Sequence, residues 1–279
     1  TWLFHFVTKF KVPVFLGSSF AFIPGLVAVG ASQGLPYALG GIVVAGFLYV
    51  IVAIIFKFVS YENLHKILPA HVTGPMIILI GLILAPVAIQ NARGDFSKPI
   101  VDAIGVNGAW GIALFTFAVG VFVKIAFPKF GWKFLSNLPV LIALIAGYIL
   151  AVILGQVDFK TVSEAAWIGI PKFTFPKFSV EAISVMVPIA IVTMVEHFGD
   201  VLAIGNVVGK DFIKDPGVHR TLIGDGLATS FAGLIGGPAN TTYSENTGAV
   251  ALTGAYNPII MRIAACFAIL LSLVPKFTA

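Results

Sequence analysis

The sequence predicts an all-α polytopic membrane protein with two short strands set in broken membrane segments. Three observations carry that reading. Of 279 residues, 58% are hydrophobic and only 10% charged, with mean hydropathy +1.02, whereas a soluble domain carries roughly 25% charged residues. Apolar runs of spanning length, about 20 residues, recur along the chain. Two of the segments, 13–31 and 237–253, are interrupted by Gly, Pro, Ser and Thr where a span is expected to be apolar.

Taken in order, residues 1–8 read as the tail of a helix, and 13–31 as the first broken segment. Full spans follow over 38–58, 74–92, about 108–127 and 137–155. The stretch 156–180 holds Pro171 and Pro176 and alternates Phe with polar residues; short strands or an interfacial segment are expected there. Residues 182–206 span again, 209–220 form a mixed-charge loop, and 221–236 are short and Gly-rich. The second broken segment, 237–253, precedes a final span over 258–275. Basic residues favour one side: loops 9–12, 57–72, 124–133 and 209–220 hold ten Lys and Arg, against five in 93–107 and 156–180. That asymmetry places the first set on the cytoplasmic side. The chain opens at Thr1-Trp2 inside an apolar run and stops just after one, so an internal piece of a longer chain is expected.

Composition also excludes classes. The net charge of +5 is spread over short loops without a dense basic run, so no nucleic-acid partner is expected. One cysteine, Cys266, rules out a disulfide framework, and the five His show no ligand spacing. No metal, no cofactor and no enzymatic centre is expected, because neither a His/Cys set nor a Ser–His arrangement stands out.

Three carboxylates lie inside apolar spans: Glu196, Asp200 and Glu245. An acid at the centre of a membrane helix costs at least ~2.5–3.5 kcal/mol on insertion scales, so each is a functional candidate. The other nine acids, Asp225 among them, fall in or near segments that read as loops or helix ends. Glu196 and Asp200 are four residues apart on one helix face, where two acids in low dielectric do not both ionise easily. His197 points off that face and reads as structural. In the second broken segment, Asn240 to Thr247 are eight polar or amphipathic residues in a row, which no lipid-facing helix tolerates. Thr241, Thr242 and Tyr243 favour extended backbone, and Ser244, Glu245 and Asn246 favour a helix start. A strand over 239–243 and a half-helix over 245–253 are therefore expected, with residues 18–22 as the opposing strand. Paired broken segments point to a midplane binding site. Carboxylates with exposed backbone amides suit a neutral ligand bearing ring N–H groups and carbonyls, and Phe20 and Tyr243 suit a flat ring. Nucleobases fit that description, and a cation is left open.

At these residues the chain resembles the nucleobase–cation symporter-2 (nucleobase–ascorbate transporter) family, in its uracil permease branch. The matching stretches are Val12-Pro13 through Leu16-Gly17-Ser18-Ser19-Phe20-Ala21-Phe22, then Glu196-His197-Phe198-Gly199-Asp200, then Lys210-Asp211, Asp215-Pro216-Gly217 and His219-Arg220. The most specific is Pro238-Ala239-Asn240-Thr241-Thr242-Tyr243-Ser244-Glu245-Asn246-Thr247-Gly248, running to Thr253-Gly254. The resemblance implies a fold of fourteen spans in two inverted repeats of seven, of which this chain would lack the first span and the last three. It assigns 1–60 and 182–279 to a core domain and 61–181 to the first half of a gate domain. It makes Glu196 and Glu245 the residues that hold a pyrimidine ring, with Phe20, Ser244 and Tyr243 lining the site. Asp200, with Glu196, falls at a proton-coupling position, where well-studied uracil members carry His. The implied activity is proton-coupled uptake of uracil across the plasma (inner) membrane. Its implied partners are uracil or a related nucleobase, protons and the lipid bilayer, with a homodimer left open. A purine (xanthine or urate) permease is the near alternative, and an anion transporter of the same fold a more distant one, which Glu245 at the half-helix start opposes.

Overall fold

The computed structural model describes residues 1–58, 88–94, 98–157, 159–171 and 173–278, together with positions 75, 78, 82, 85 and 86; at 98–102, 137, 244, 245, 252 and 278 it describes the backbone alone. The expected span over 74–92 lies in large part outside the described residues.

In chain order the elements are α1 (Trp2–Val7), β1 (Leu16–Ser18), α2 (Ile23–Ser32) and α3 (Leu35–Phe58), then α4 (Lys98–Ala126), α5 (Pro139–Ile153) and α6 (Lys160–Glu164). After these come α7 (Val180–Val208), α8 (Val218–Ile235), β2 (Asn240–Thr242), α9 (Ser244–Thr253), α10 (Pro258–Ser272) and α11 (Pro275–Thr278). Among the described residues three helices are long and apolar enough to cross a membrane: Leu35–Phe58, Ala103–Ala126 and Val180–Val208. The protein is a multi-pass, mainly helical membrane protein, and its two short strands fall in the two broken segments.

The chain divides into two compact units, 1–84 with 170–273 and 85–169 with 274–279. In the first unit α3 packs against α7 and α8. On α3, Ala38, Ile42, Ala45, Tyr49 and Ala53 form one buried stripe, the 3.6-residue period of a helix face. Small residues bring α3 and α8 close. A Cβ at Gly46 would fall 2.5 Å from the Gly226 carbonyl oxygen. Across that approach the Ser230 hydroxyl donates to the Val43 carbonyl at 3.0 Å, as expected where lipid offers no hydrophobic drive between helices. The Tyr49 hydroxyl donates to Thr193 Oγ1 at 2.5 Å and ties α3 to α7.

α7 starts where the Ser179 side chain accepts from the Ala182 amide and stops at Gly209 in the left-handed conformation (φ 71), the two ends that helix capping favours. Its buried stripe runs Ala182, Met186, Ala190, Thr193, His197, Asp200 and Ile204. α1 lies on α8, with Phe4 buried against Gly224, and the His5 ring bonds the Val14 carbonyl oxygen at 2.8 Å.

In the second unit α4 packs on α5, and a Cβ at Gly147 would meet Thr116. Gly105 (φ 69) breaks α4 near its start. Many apolar side chains of this pair are exposed, Phe117 and Leu144 among them, as a lipid-facing surface requires. Phe127 and Trp132 meet edge to face beside Lys129 and Lys133, the composition of a membrane–water interface. Between 156 and 180 the described residues form the short helix α6 and irregular chain; the strands allowed for there do not form, because Pro171 and Pro176 withhold ladder donors.

Candidate functional site

The site is built where the two broken segments meet. β1 and β2 pair antiparallel, with Leu16 opposite Thr242, Gly17 opposite Thr241 and Ser18 opposite Asn240. The Ser19 amide donates to the Ala239 carbonyl at 2.7 Å and extends the ladder by one bond. Pairing the strands with each other satisfies backbone groups that lipid cannot. The opposing strand is Leu16–Ser18, not 18–22 as the sequence suggested: Phe20–Phe22 form a 3-10 turn that feeds α2. Pro24 at the second position of α2 explains the shift, since its fixed φ suits a helix start and leaves 20–22 as the lead-in.

Each strand thus ends in a ten-residue half-helix, α2 after β1 and α9 after β2. Tyr243 is the extended residue before α9, and its side chain does not cap the helix. Ser244 and Glu245 are the first two helical residues rather than caps; their side chains lie outside the described residues. The first-turn amides carry the positive end of the helix dipole.

The two aromatic candidates come together. The rings of Phe20 and Tyr243 are stacked with centroids 6.1 Å apart and planes at 17°. Phe20 is half exposed, at 51%. The Tyr243 hydroxyl donates to the Ser18 carbonyl at 2.7 Å. Its ring fills the space above Gly17, where a Cβ would come within 2.4 Å of it, so that strand position requires glycine.

The acids separate. Asp200 is buried, and its Oδ2 accepts from the Thr242 hydroxyl at 2.8 Å. Glu196, one turn earlier, is half-buried at the edge of the same face. Asp225 corrects the sequence reading. It lies in the middle of α8, fully buried, with Oδ2 3.0 Å from Nδ1 of the equally buried His197. His197 is on the buried stripe of α7, between Thr193 and Asp200, and not off it. The overlooked signal was period: Val218, Thr221, Leu222, Asp225 and Thr229 form one buried stripe of α8. That His197 is the partner of Asp225 is a tertiary fact. α8 also anchors the second strand. The Thr229 hydroxyl donates to the Asn240 carbonyl and accepts from the Asn240 amide, both at 3.2 Å, and the Asn240 side-chain amide donates to the Ala228 carbonyl at 3.0 Å.

A family model described as Permease family (Xan_ur_permease) matches residues 1–279. The chain belongs to this permease family. Similar curated proteins agree with the uracil permease resemblance. A "Probable uracil permease" of Haemophilus influenzae is 43% identical over 280 residues, covering 100% of this chain and 65% of that protein. A "Uracil permease" of Bacillus caldolyticus is 38% identical over 286 residues (100% and 64%), and one of Escherichia coli is 36% identical over 286 residues (100% and 63%). The chain therefore spans just under two thirds of the length of these relatives. Among solved structures, the transmembrane domain of the cyanobacterial bicarbonate transporter BicA is similar with a TM-score of 0.56 at 17% identity, covering 99% of this chain and 77% of that one. This likeness concerns the permease fold and not its cargo.

Proposed function

We propose that this permease chain carries the substrate-holding part of a proton-coupled uracil permease of the plasma (inner) membrane. The observation that carries the reading is the crossing of β1 and β2. It sets Phe20 and Tyr243 against each other, starts α9 at Ser244 without a cap from the Tyr243 side chain, and bonds the strand to Asp200. Relatives at 36–43% identity named as uracil permeases supply the substrate class.

In this reading Glu196 and Glu245 accept the ring N–H groups of uracil. Backbone amides at Ser244 and Phe20 donate to its carbonyls, and the Phe20 and Tyr243 rings flank the plane. The first-turn amides of a helix are a ready source of such donors. Protons enter through Glu196 and Asp200, so that occupancy and protonation are linked. Residues 1–60 and 182–279 act as core and 61–181 as part of the gate against which the core moves.

The test is uracil binding by the full-length protein, read as thermal stabilisation. At about 100 times its Kd, uracil is expected to add about 2.7 kcal/mol of stability, xanthine to add none, and the effect to change with pH. Glu196→Gln and Glu245→Gln are each expected to weaken uracil binding by at least about tenfold, the loss of one hydrogen bond to a charged group. Stabilisation by xanthine alone would move the permease to purines, and unchanged uracil binding in both variants would remove the two glutamates from the site.

A further inference from the structure

The hydroxyl of Thr242 stands between two buried acids that belong to different helices. It donates to Asp200 Oδ2 of α7 at 2.8 Å. Its oxygen is also 3.5 Å from His197 Nδ1, which is 3.0 Å from Asp225 Oδ2 of α8. Thr242 is 1% exposed, and His197 and Asp225 are fully buried. A hydroxyl has one proton and two lone pairs, so giving the proton to Asp200 turns a lone pair toward the imidazole. His197 Nε2 is buried without a hydrogen-bond partner among the described residues. A proton there would be an unpaired donor, which assigns the ring proton to Nδ1, facing Asp225 and Thr242.

We propose that Thr242 is a positioning residue that couples the protonation of Asp200 to the geometry of β2 and thereby to the first turn of α9. This rests on the uracil permease reading above. The coupling has a physical basis. A hydrogen bond to an ionised carboxylate is roughly twice as strong as one to a neutral group, so β2 is gripped more tightly when Asp200 is charged. Threonine is stiff at χ1, which passes the pull on its hydroxyl to its own backbone. That backbone opposes Leu16 across the ladder, and Tyr243, the next residue, precedes α9. His197, itself beside Asp225, approaches the hydroxyl from its other side at 3.5 Å, so the bond to Asp200 is the shorter of the strand's two side-chain contacts here.

Other titratable or charged groups surround this junction. On α7 there is Glu196, and on α3 Tyr49, whose hydroxyl is bonded to Thr193. On the α1 side there is His5, bonded to the Val14 carbonyl oxygen, and on α10 Arg262.

The experiment uses purified protein in lipid nanodiscs and two readouts. The first is ligand-free: infrared titration of the protonated carboxyl C=O band, assigned to Asp200 by its loss in Asp200→Asn. Thr242→Val keeps the β-branch and removes the hydroxyl; it is expected to shift both the frequency and the titration midpoint of that band, and Thr242→Ser to restore them. Thr242→Ala, which adds no bulk, serves as the second hydroxyl-free variant if the valine protein does not remain folded. The second readout is the ratio of uracil Kd at about pH 6 and about pH 8, expected to shrink at least about threefold in the hydroxyl-free variants, the effect of one lost hydrogen bond. An Asp200 band identical in wild type and hydroxyl-free variants overturns the proposal, as does a shifted band with an unchanged Kd ratio. Absence of uracil binding by the wild type sinks the permease's assigned substrate instead, and the infrared titration still decides the Thr242–Asp200 link.

Discussion

The two broken segments have one backbone plan and two kinds of support. Each runs strand, short lead-in, ten-residue half-helix. The first is held by apolar packing: Val12, Val14, Leu16 and Phe22 are buried, and Gly25 sits against Met186 and Ile189. The second is held by polar bonds: Asn240 on Thr229 and Ala228, and Thr242 on Asp200 with His197 and Asp225 behind it. Apolar packing is insensitive to proton concentration, whereas bonds to carboxylates and imidazole respond to it. One arm of the site is therefore held mainly by apolar packing, and the other by hydrogen bonds and a buried His–Asp contact.

The comparison breaks most sharply when each support is removed in turn. Asp225→Ala leaves a buried imidazole without its partner, and Phe22→Ala opens a cavity under the first arm; each is expected to cost about 3–5 kcal/mol in unfolding stability. The two are told apart by repair. Replacing His197 and Asp225 together with apolar residues of similar volume is expected to recover much of the loss, whereas no polar change restores Phe22→Ala. Denaturant unfolding in detergent measures both, and recovery that fails would mean that the pair does more than brace the strand.

Next in size is Gly17→Ala, which drives a methyl into the Tyr243 ring and is expected to cost about 1–3 kcal/mol as overpacking. Adding Tyr243→Ala is expected to relieve that cost in a double-mutant cycle; strictly additive losses would show that the arms are not in contact through this ring. Thr229→Val removes the hydroxyl that serves both backbone groups of Asn240. About 1 kcal/mol is expected, appearing as faster amide hydrogen exchange across β2 and not across α2. The smallest effect belongs to the exposed pair Lys11–Asp215, joined at 2.6 Å with side chains 42% and 67% exposed. Lys11→Ala is expected to change stability by less than about 1 kcal/mol, and by less still at high salt.

Much of this was legible in the residues. The run from Asn240 to Thr247 announced a segment unable to face lipid, and its Thr-Thr-Tyr start announced a strand. Phe20 and Tyr243, expected to flank a flat ligand ring, lie stacked on each other. The register of the first strand was misread by two residues, because Ser, Phe and Ala at 18–22 have no strong preference and Pro24 acts through the helix that follows. Asp225 was misplaced because a lone acid between two glycines reads as a turn unless its helix is already known.

Composition and spacing by themselves determined the environment, the segments that cross or break within it, and the polar and aromatic residue types gathered in the broken segments. Each of these follows from the cost of leaving a polar group or a charge in hydrocarbon, a cost paid locally along the chain. Only the tertiary structure decided which acid faces which partner. Asp200 and Asp225 are both carboxylates among small and apolar neighbours, and no local rule distinguishes them. The close approach of α8 to α3 and the pairing of β1 with β2 bring Thr242 to Asp200 and His197 to Asp225, contacts 42 and 28 residues apart in sequence. Such long-range hydrogen bonds depend on how whole helices pack, and helix packing is fixed by glycine contacts such as Gly46 on Gly226 that sequence shows only as composition.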